Sequence, residues 1–232
     1  MSKKLNKRLY GRKLGRPLNP ARQKALDDMY PKLKIDASAV TENQDLDPAS
    51  LFDKKYEQTW FEVGFGNGER LAQMMERHPE NAYIGCEPFI NGVSNLLKLV
   101  QENGRENLRV FMDDAILVID SLTDQCLDGI YVLNPDPWPK KRHHKRRIIS
   151  QENLTRFSRV LKNGGSLIMA TDVDDLAEWM VTQASRHPDF EWTAKTPSDW
   201  QTAPEGWIHT RYEQKGEEAG RKQSYLLFRK KT

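Results

Sequence analysis

The chain has 232 residues, a net charge of +3, 38% hydrophobic residues and 30% charged residues, which suits one medium domain with an appended segment. No run of about 18 apolar residues occurs, so we expect no transmembrane helix, and the basic N-terminus lacks the apolar stretch of a secretory signal. The two cysteines, Cys86 and Cys126, are too few for a disulfide framework or a zinc site. They predict buried, reduced thiols in a cytoplasmic protein.

Basic charge is concentrated in two segments. Residues 1–24 contain nine Lys or Arg and no acid, and residues 139–147 contain six more, also without an acid. Because the whole chain carries +3, the remainder has a net charge of −12. Such segregation is typical of a protein with a polyanionic partner, since Lys and Arg displace counterions from phosphates. A solubilising tail is the alternative for the N-terminal segment.

We interpret residues 1–50 as a basic, partly disordered N-terminal extension and residues 51–232 as one domain. The extension contains six glycine or proline residues and few periodic apolar positions. A short helix is expected within it, around Pro20–Tyr30.

From residue 59 onward, short β-prone runs alternate with segments of helical periodicity. The predicted strands cover residues 59–64, 82–87, 108–112, 129–134, 165–172, 190–194 and 224–230. The predicted helices cover residues 68–77, 91–104, 150–165 and 172–186. This alternation predicts an α/β fold with a Rossmann-like, doubly wound, seven-stranded sheet. The sheet is expected to be mostly parallel, with an antiparallel edge hairpin formed by the last two strands.

A glycine-rich loop, EVGFGNGERL, joins the first predicted strand to the first helix after it. Gly64, Gly66 and Gly68 form G-x-G-x-G, which differs from the dinucleotide fingerprint, and no Walker-type Gly-Lys-Ser or Gly-Lys-Thr follows. Glycines permit positive φ and a close approach of backbone to a ligand. The loop is therefore a candidate nucleotide-type site, although an ordinary turn is the alternative.

Three acids, Glu62, Glu87 and Asp114, lie at or near the ends of the first three predicted strands. Glu87 stands where doubly wound folds bind ribose hydroxyls. A buried Glu62 needs a cationic partner, which a ligand ammonium could supply, and Asp114 could accept a hydrogen bond from an adenine amino group. The alternative is that these acids only cap helices. An acid-lined crevice disfavours a pyrophosphate, so S-adenosyl-L-methionine fits better than NAD or FAD.

The fourth predicted strand runs into Asn134-Pro135-Asp136-Pro137-Trp138, which we expect to lie beside the cofactor crevice. The prolines restrict the backbone around Asp136 and hold it rigidly. Trp138 could stack on a base. Amino-methylating enzymes often carry Asp or Asn, two prolines and an aromatic residue here, and Asp136 interrupts that pattern. A proline-rich turn with a structural tryptophan is the alternative.

GFGNG, Glu87, DDA, PDPWPKKRHHKRR and ATD occur in an order and spacing that resemble bacterial tRNA (guanine-N7-)-methyltransferases, which are class I S-adenosylmethionine-dependent enzymes. The resemblance runs from about residue 60 to the end and extends weakly into GRPLNPARQKAL. It implies methylation of guanine N7 in the variable loop of tRNA, with S-adenosyl-L-methionine as cofactor and tRNA as partner. We also expect no metal, because no further ligand lies at a suitable spacing from His143 and His144, no membrane, and a monomer or homodimer.

The same resemblance implies roles for individual residues. The matching cofactor-binding positions are Glu62, Gly64, Gly66, Gly68, Glu87, Asp114 and Asp136. Asp136 also matches the proposed catalytic residue. The matching substrate-binding positions are Lys140, Asp172, Thr210, Arg211, Tyr212 and Glu213. The matching RNA-interacting stretch is Arg142, His143, His144, Lys145, Arg146 and Arg147.

Two departures from the family pattern affect these roles. Asp113 stands where the family commonly has Gly before Asp-Ala, and Thr210–Glu213 reads TRYE where Thr-Lys-Phe-Glu is commoner. We therefore expect the adenine-side loop and the substrate contacts to differ in detail.

Guanine N7 carries a free in-plane lone pair, so its methylation needs no prior deprotonation and no Ser, Cys or His nucleophile. Positioning can then provide most of the catalysis. Either Asp136 or Asp172 could hold the guanine through its N1–H and N2 amino donors, which would also favour the positive charge that develops on the purine. His143 and His144 could contact phosphates. Methylation of an exocyclic amine, or RNA binding without catalysis, are the alternative functions.

Overall fold

Parallel strand pairing organises the part of the chain that precedes residue 124. In the computed structural model, which describes residues 13–232, the chain divides into two units, Met1–Thr123 and Asp124–Thr232. The first half of the predicted basic N-terminal segment, residues 1–12, lies outside the described residues.

The first unit contains three parallel strands in the order β3-β2-β1. Its strands are β1 Thr59–Val63, β2 Ala82–Cys86 and β3 Leu108–Phe111. Its helices are α1 Pro20–Leu33, α2 Glu69–Arg77, α3 Ile90–Asn103 and α4 Ala115–Ser121, with 3₁₀ turns at Ala37–Ala39 and Pro48–Leu51. The strands are within a few residues of their predicted positions. The sequence patterns did not predict α4, because AILVIDS is a short apolar run without clear periodicity.

Helix α3 follows directly from its sequence pattern. Val93, Leu96, Leu97 and Val100 recur at helical spacing and are all fully buried in the core of the first unit. The helix ends at Gly104, which adopts the left-handed conformation that favours glycine after a last helical turn.

Helix α1 confirms the helix expected in the N-terminal segment and extends it to Leu33. Pro20 occupies its first turn, and the side chain of Asn19 caps it by accepting the Arg22 N–H at 2.9 Å. Ala25 and Leu33 are buried in the same core as α3. The separation of residues 1–50 from a domain over residues 51–232 stays a prediction.

The second unit contains four strands in the order β4-β5-β7-β6. They are β4 Leu127–Leu133, β5 Leu161–Thr171, β6 Phe190–Trp192 and β7 Ser224–Lys230. Its helices are α5 Gln151–Val160, α6 Asp174–Arg186, α7 Ser198–Gln201 and α8 Arg211–Glu218, with a 3₁₀ segment at Lys141–Arg146. β4 and β5 are parallel, whereas β7 is antiparallel to both β5 and β6. The predicted α/β fold with seven mostly parallel strands and an antiparallel edge is confirmed.

One predicted boundary in the second unit is wrong. We expected the helix before β5 to continue to residue 165, but α5 ends at Val160 and β5 begins at Leu161. Leu161 pairs with Leu127, and the register then shifts so that Ser166 pairs with Gly129. The strand thus absorbs the intervening glycines as an irregularity instead of placing them in a loop.

Within residues 13–232 no disulfide joins the two cysteines, and only Cys86 is buried, which raises the pKa of its thiol well above its usual value. Cys126 is partly exposed, so the prediction of two buried thiols is wrong for this residue. Among residues 13–232, no helix combines the length and the apolar character required to span a bilayer.

We expect Gly92→Ala to destabilise the first unit. A helical Gly→Ala change usually stabilises a protein, by up to about 1 kcal/mol. Here, however, a Cβ at residue 92 would lie 2.1 Å from the Gly66 carbonyl oxygen. The backbone must shift to relieve this clash, and that shift should lower the free energy of unfolding by about 2 kcal/mol, as measured by urea denaturation. Asn103→Ala, on the exposed end of the same helix, is the control, and equal stability of the two variants would contradict the prediction.

Candidate active site

The glycine-rich loop after β1 is held by the end of β2. Gly64, Gly66 and Gly68 all have positive φ, between 57° and 70°. The carboxylate of Glu87 accepts the Gly66 N–H at 2.9 Å and the Phe89 N–H at 3.0 Å, one on each oxygen. Glu87 therefore fixes both the loop and the backbone that leads into α3.

The loop presents bare backbone to open space. A Cβ at Gly64 or Gly66 would meet no atom within 4 Å among the described residues. On its opposite side, the Gly66 carbonyl contacts Gly92, where no side chain fits. The loop is thus packed against α3 on one side and open on the other, so it forms a cradle in which a ligand can approach the backbone closely.

Glu62, at the penultimate position of β1, is a buried carboxylate, as the sequence predicted. Its Oε2 lies 3.6 Å from Arg70 Nη1, and both side chains are only 5% exposed. Burial raises the pKa of Glu62, while Arg70 lowers it and Glu87 raises it. Oε2 has no hydrogen-bond partner within residues 13–232, so Arg70 compensates its charge without satisfying its hydrogen-bonding capacity.

The acids after β3 support the helix-cap alternative in part. Asp114 is the N-cap of α4 and accepts the Ile116 N–H at 3.0 Å. Asp113 accepts the Asp114 N–H at 3.0 Å and pairs with Lys13 at 3.6 Å. The Asp that replaces the family's commoner Gly is therefore bonded to its own loop.

A side-chain relay links the glycine-rich loop to the N-terminal helix. Asn95 donates from Nδ2 to the Asn67 carbonyl at 2.8 Å and accepts from Arg22 on Oδ1 at the same distance. We did not predict this relay, because Arg22 lies 73 residues from Asn95 and no local pattern marks the pair.

In the second unit, the segment after β4 forms a strained turn. Asn134 and Trp138 have positive φ values of 47° and 44°, which are uncommon for residues other than glycine. Asn134 donates its N–H to the Ala170 carbonyl at 2.7 Å and accepts from Gln223 Nε2 on Oδ1 at 2.9 Å. These bonds hold the start of the turn against the end of β5.

The two candidate guanine-holding acids differ sharply in their surroundings. Asp136 is exposed, and its carboxylate has no hydrogen-bond or ion-pair partner in residues 13–232. Asp172, directly after β5, is 5% exposed and accepts from Arg221 Nε at 2.7 Å and from the Tyr212 hydroxyl at 3.3 Å. Asp136 is therefore available to a ligand, whereas Asp172 is held by its neighbours.

The basic stretch after the turn is mixed in exposure. Lys140, Arg142 and Lys145 are exposed, and His143, His144 and Arg146 are partly so. The Arg146 guanidinium lies 4.9 Å from the Trp138 ring centroid, so it covers a face that we expected to stack on a base. Burial and then the surrounding cations lower the pKa of His143, which keeps its imidazole neutral at neutral pH.

Arg147 is the exception in this stretch, because its side chain is only 1% exposed. A phosphate cannot reach it in this conformation. The structure thus buries Arg147 and leaves the other members of the stretch exposed or partly exposed, and the role in RNA contact stays a prediction.

TRYE forms the start of α8 as a capping box. Thr210 Oγ1 accepts the Glu213 N–H at 3.3 Å, and Glu213 Oε2 accepts the Thr210 N–H at 2.7 Å. Glu213 is buried and also accepts from Trp207 Nε1 at 3.1 Å. Arg211 and Tyr212 point to the exposed side, with Tyr212 52% exposed. The Thr-x-x-Glu spacing could have predicted the cap.

Most of this chain is similar in sequence to known proteins. Residues 56–226 match the family described as "Putative methyltransferase". A relative from Rhodospirillum rubrum, named tRNA (guanine-N(7)-)-methyltransferase, is 43% identical over 97% of this chain and 88% of its own length. A relative of the same name from Brucella abortus is 43% identical over 94% of this chain and 93% of its own. The chain therefore belongs to the family of tRNA (guanine-N7-)-methyltransferases.

Solved structures agree on the fold. The 16S rRNA methyltransferase KamB superposes with a TM-score of 0.54 at 14% identity, covering 76% of this chain and 89% of its own. At this identity the likeness establishes the Rossmann-like methyltransferase fold alone.

Within this methyltransferase, the structure groups the predicted site residues by unit. The first unit brings together the loop glycines, Glu62 and Glu87, with Asp114 at the start of α4, after the neighbouring strand β3. The second unit brings together Asp172 and Tyr212, and it places the turn that carries Asp136 next to the end of β5. Within residues 13–232, no three His, Cys, Asp or Glu side chains are grouped to bind a metal ion.

We expect Glu87→Gln to loosen the glycine-rich loop. The carboxamide keeps one acceptor oxygen, so one of the Gly66 and Phe89 N–H groups would face an NH₂ group instead. Loss of this bond should reduce the free energy of unfolding by about 1–3 kcal/mol, as measured by chemical denaturation. Glu76→Gln, on the exposed face of α2, should change stability little, and similar losses in both variants would refute the bridging role of Glu87.

Proposed function

We propose that this chain methylates N7 of a guanosine in the variable loop of tRNA, using S-adenosyl-L-methionine. The observation that carries the proposal is the 43% identity, over 97% of the chain, to a relative named for this activity. The site geometry supports it through an open glycine cradle in one unit and an exposed carboxylate on a rigid turn in the other. We place the activity in the cytoplasm, in a monomer or homodimer.

The first unit fits S-adenosyl-L-methionine. The open backbone of Gly64 and Gly66 leaves room for it, and the unsatisfied, buried Oε2 of Glu62 matches a cationic amino group. A carboxylate has about four acceptor sites, so Glu87 can hold the loop and still accept from a ribose hydroxyl. Asp114 would accept from the adenine amino group. When bound, this cofactor supplies an electrophilic methyl group on a sulfonium.

The guanine needs orientation and charge stabilisation from the protein. The N7 lone pair would accept the methyl group that the cofactor supplies, and the purine would gain a positive charge. We assign the guanine-holding role to Asp136, because its exposed carboxylate is available to accept from N1–H and the N2 amino group. Asp172 is proposed to shape the substrate side of the site through its bonds to Arg221 and Tyr212. This chemistry requires no metal, since the nucleophile is already unprotonated.

The exposed cations are proposed to bind the tRNA backbone. Lys140, Arg142 and Lys145 are free to reach phosphates, and the partly exposed His143, His144 and Arg146 would border the same surface. Arg211 and Tyr212 are exposed at the start of α8 and can contact the substrate directly. Thr210 and Glu213 would support those contacts by holding the helix start.

The target atom can be tested with tRNA that carries 7-deazaguanosine at the variable-loop position. This base lacks the N7 lone pair, so methyl incorporation from labelled cofactor should fall to background, while unmodified tRNA is methylated. Undiminished incorporation into the 7-deaza substrate would refute N7 as the target. Mass analysis of the digested product would then identify an exocyclic amine, and a protein that binds tRNA without any incorporation would not be a methyltransferase.

We expect Asp136→Asn to lower kcat by about 100-fold, because the carboxamide stabilises the cationic purine less than a carboxylate does. Cofactor affinity, measured by calorimetry, should change by less than about threefold, since Glu62 and Glu87 remain. Glu178→Gln, an exposed acid on α6, should retain full activity. Equal losses of cofactor binding and of turnover in Asp136→Asn would remove the catalytic assignment.

A further inference from the structure

Arg147 differs from the other members of the basic stretch in what it touches. Its side chain is 1% exposed, whereas Arg142, five residues earlier, is exposed. A phosphate-binding arginine must present its guanidinium to solvent before the RNA arrives. Arg147 presents none of it, so its cationic group serves another purpose.

The guanidinium of Arg147 is fixed by three different contacts. Nε donates to the Pro137 carbonyl at 2.9 Å, and Nη2 forms an ion pair with Asp175 at the start of α6. Its Cζ lies 5.1 Å from the ring centroid of Trp179, one turn further along that helix. Trp179 is itself held, because its Nε1 donates to the Ile149 carbonyl at 2.7 Å. Arg147 therefore anchors Pro137 to helix α6.

The anchored carbonyl belongs to the residue that follows Asp136. The turn around it contains two non-glycine residues with positive φ, Asn134 and Trp138, and such conformations persist only when surrounding bonds over-determine them. The bonds of Asn134 to Ala170 and Gln223 hold the start of the turn. The bond from Arg147 to Pro137 holds its end, so Asp136 lies between two fixed points.

We propose that Arg147 is a positioning residue for methyl transfer, which fixes the Pro137 carbonyl and thereby the direction of the Asp136 carboxylate, and that it makes no contact with RNA. This inference rests on the proposed function, because it assigns Asp136 the guanine-holding role. A displacement of a catalytic group by about 1 Å can lower the rate of the chemical step by a large factor. Arg147 should therefore affect kcat, whereas the exposed cations should affect tRNA affinity.

The test compares Arg147→Met, Arg147→Lys and Arg142→Met in tRNA methylation assays at several salt concentrations. Arg147→Met should lower kcat by 10-fold or more, leaving the KM for tRNA and the salt dependence of tRNA binding unchanged. Arg142→Met should instead raise that KM and reduce the slope of log K against log salt by about one. Arg147→Lys keeps the charge but cannot donate to Pro137 and stack on Trp179 as the planar group does, so its kcat should also stay low.

A second pair of variants avoids the buried side chain, in case Arg147 variants do not fold. Asp175→Asn weakens the ion pair that orients Arg147, and Asp175 is 64% exposed, so the fold should tolerate the change. Its kcat should fall two- to fivefold at unchanged KM for tRNA. Asp174→Asn removes the same charge from the same helix start without contacting Arg147, and its kcat should match that of the wild type.

The outcomes separate this inference from the proposed function. A wild-type protein that does not methylate guanine N7 would overturn the function itself. If the wild type is active, a raised KM and a reduced salt slope in Arg147→Met would show an RNA contact and overturn the positioning role. Full activity in Arg147→Lys would also overturn it, because the planar guanidinium would then not be needed. Equal kcat values for Asp175→Asn and Asp174→Asn would also count against it. Reduced kcat at constant KM in the Arg147 and Asp175 variants would establish it.

Discussion

One carboxylate determines the geometry of the first unit's candidate site. Glu87 directly follows β2 and accepts two backbone N–H groups, from the glycine-rich loop and from the approach to α3. With these bonds in place, Gly66 can lie against Gly92 and leave the other side of the loop open. The same acid that the sequence associates with a ribose is thus required first to build the cradle. A carboxylate has about four acceptor sites, so the proposed ribose contact is compatible with these two bonds.

In the second unit, charge is divided between groups that stabilise the structure and groups that remain available. Asp172 and Arg147 are buried and paired, whereas Asp136 and Arg142 are exposed. Burying a charge is unfavourable unless it is paired and hydrogen-bonded, so the ion pairs of Asp172 with Arg221 and of Arg147 with Asp175 offset the cost of burying these two groups. In the proposed function, Asp136 would accept hydrogen bonds from the base, and Arg142 would contact the backbone of the same substrate.

Much of this arrangement could be predicted from the sequence. Hydrophobic periodicity and glycine placement locate the strands and the loop, and the order of motifs identifies the family. Local patterns could not separate Arg147 from its basic neighbours, because its burial depends on Asp175 and Trp179, about thirty residues later. The same holds for the relay from Arg22 to Asn95. Contacts between residues far apart in sequence leave no trace in a single stretch of chain.

The capping box at the start of α8 has a consequence for how loss of activity is read. Thr210 and Glu213 satisfy each other's backbone groups, and an N-cap is typically worth about 1 kcal/mol of helix stability. Alanine at either position would fray α8, and Gly216, one turn later, packs beside the Asp172 carboxylate. An alanine scan of TRYE would therefore measure two different quantities: the integrity of α8 at Thr210 and Glu213, and the proposed substrate contact at Arg211 and Tyr212.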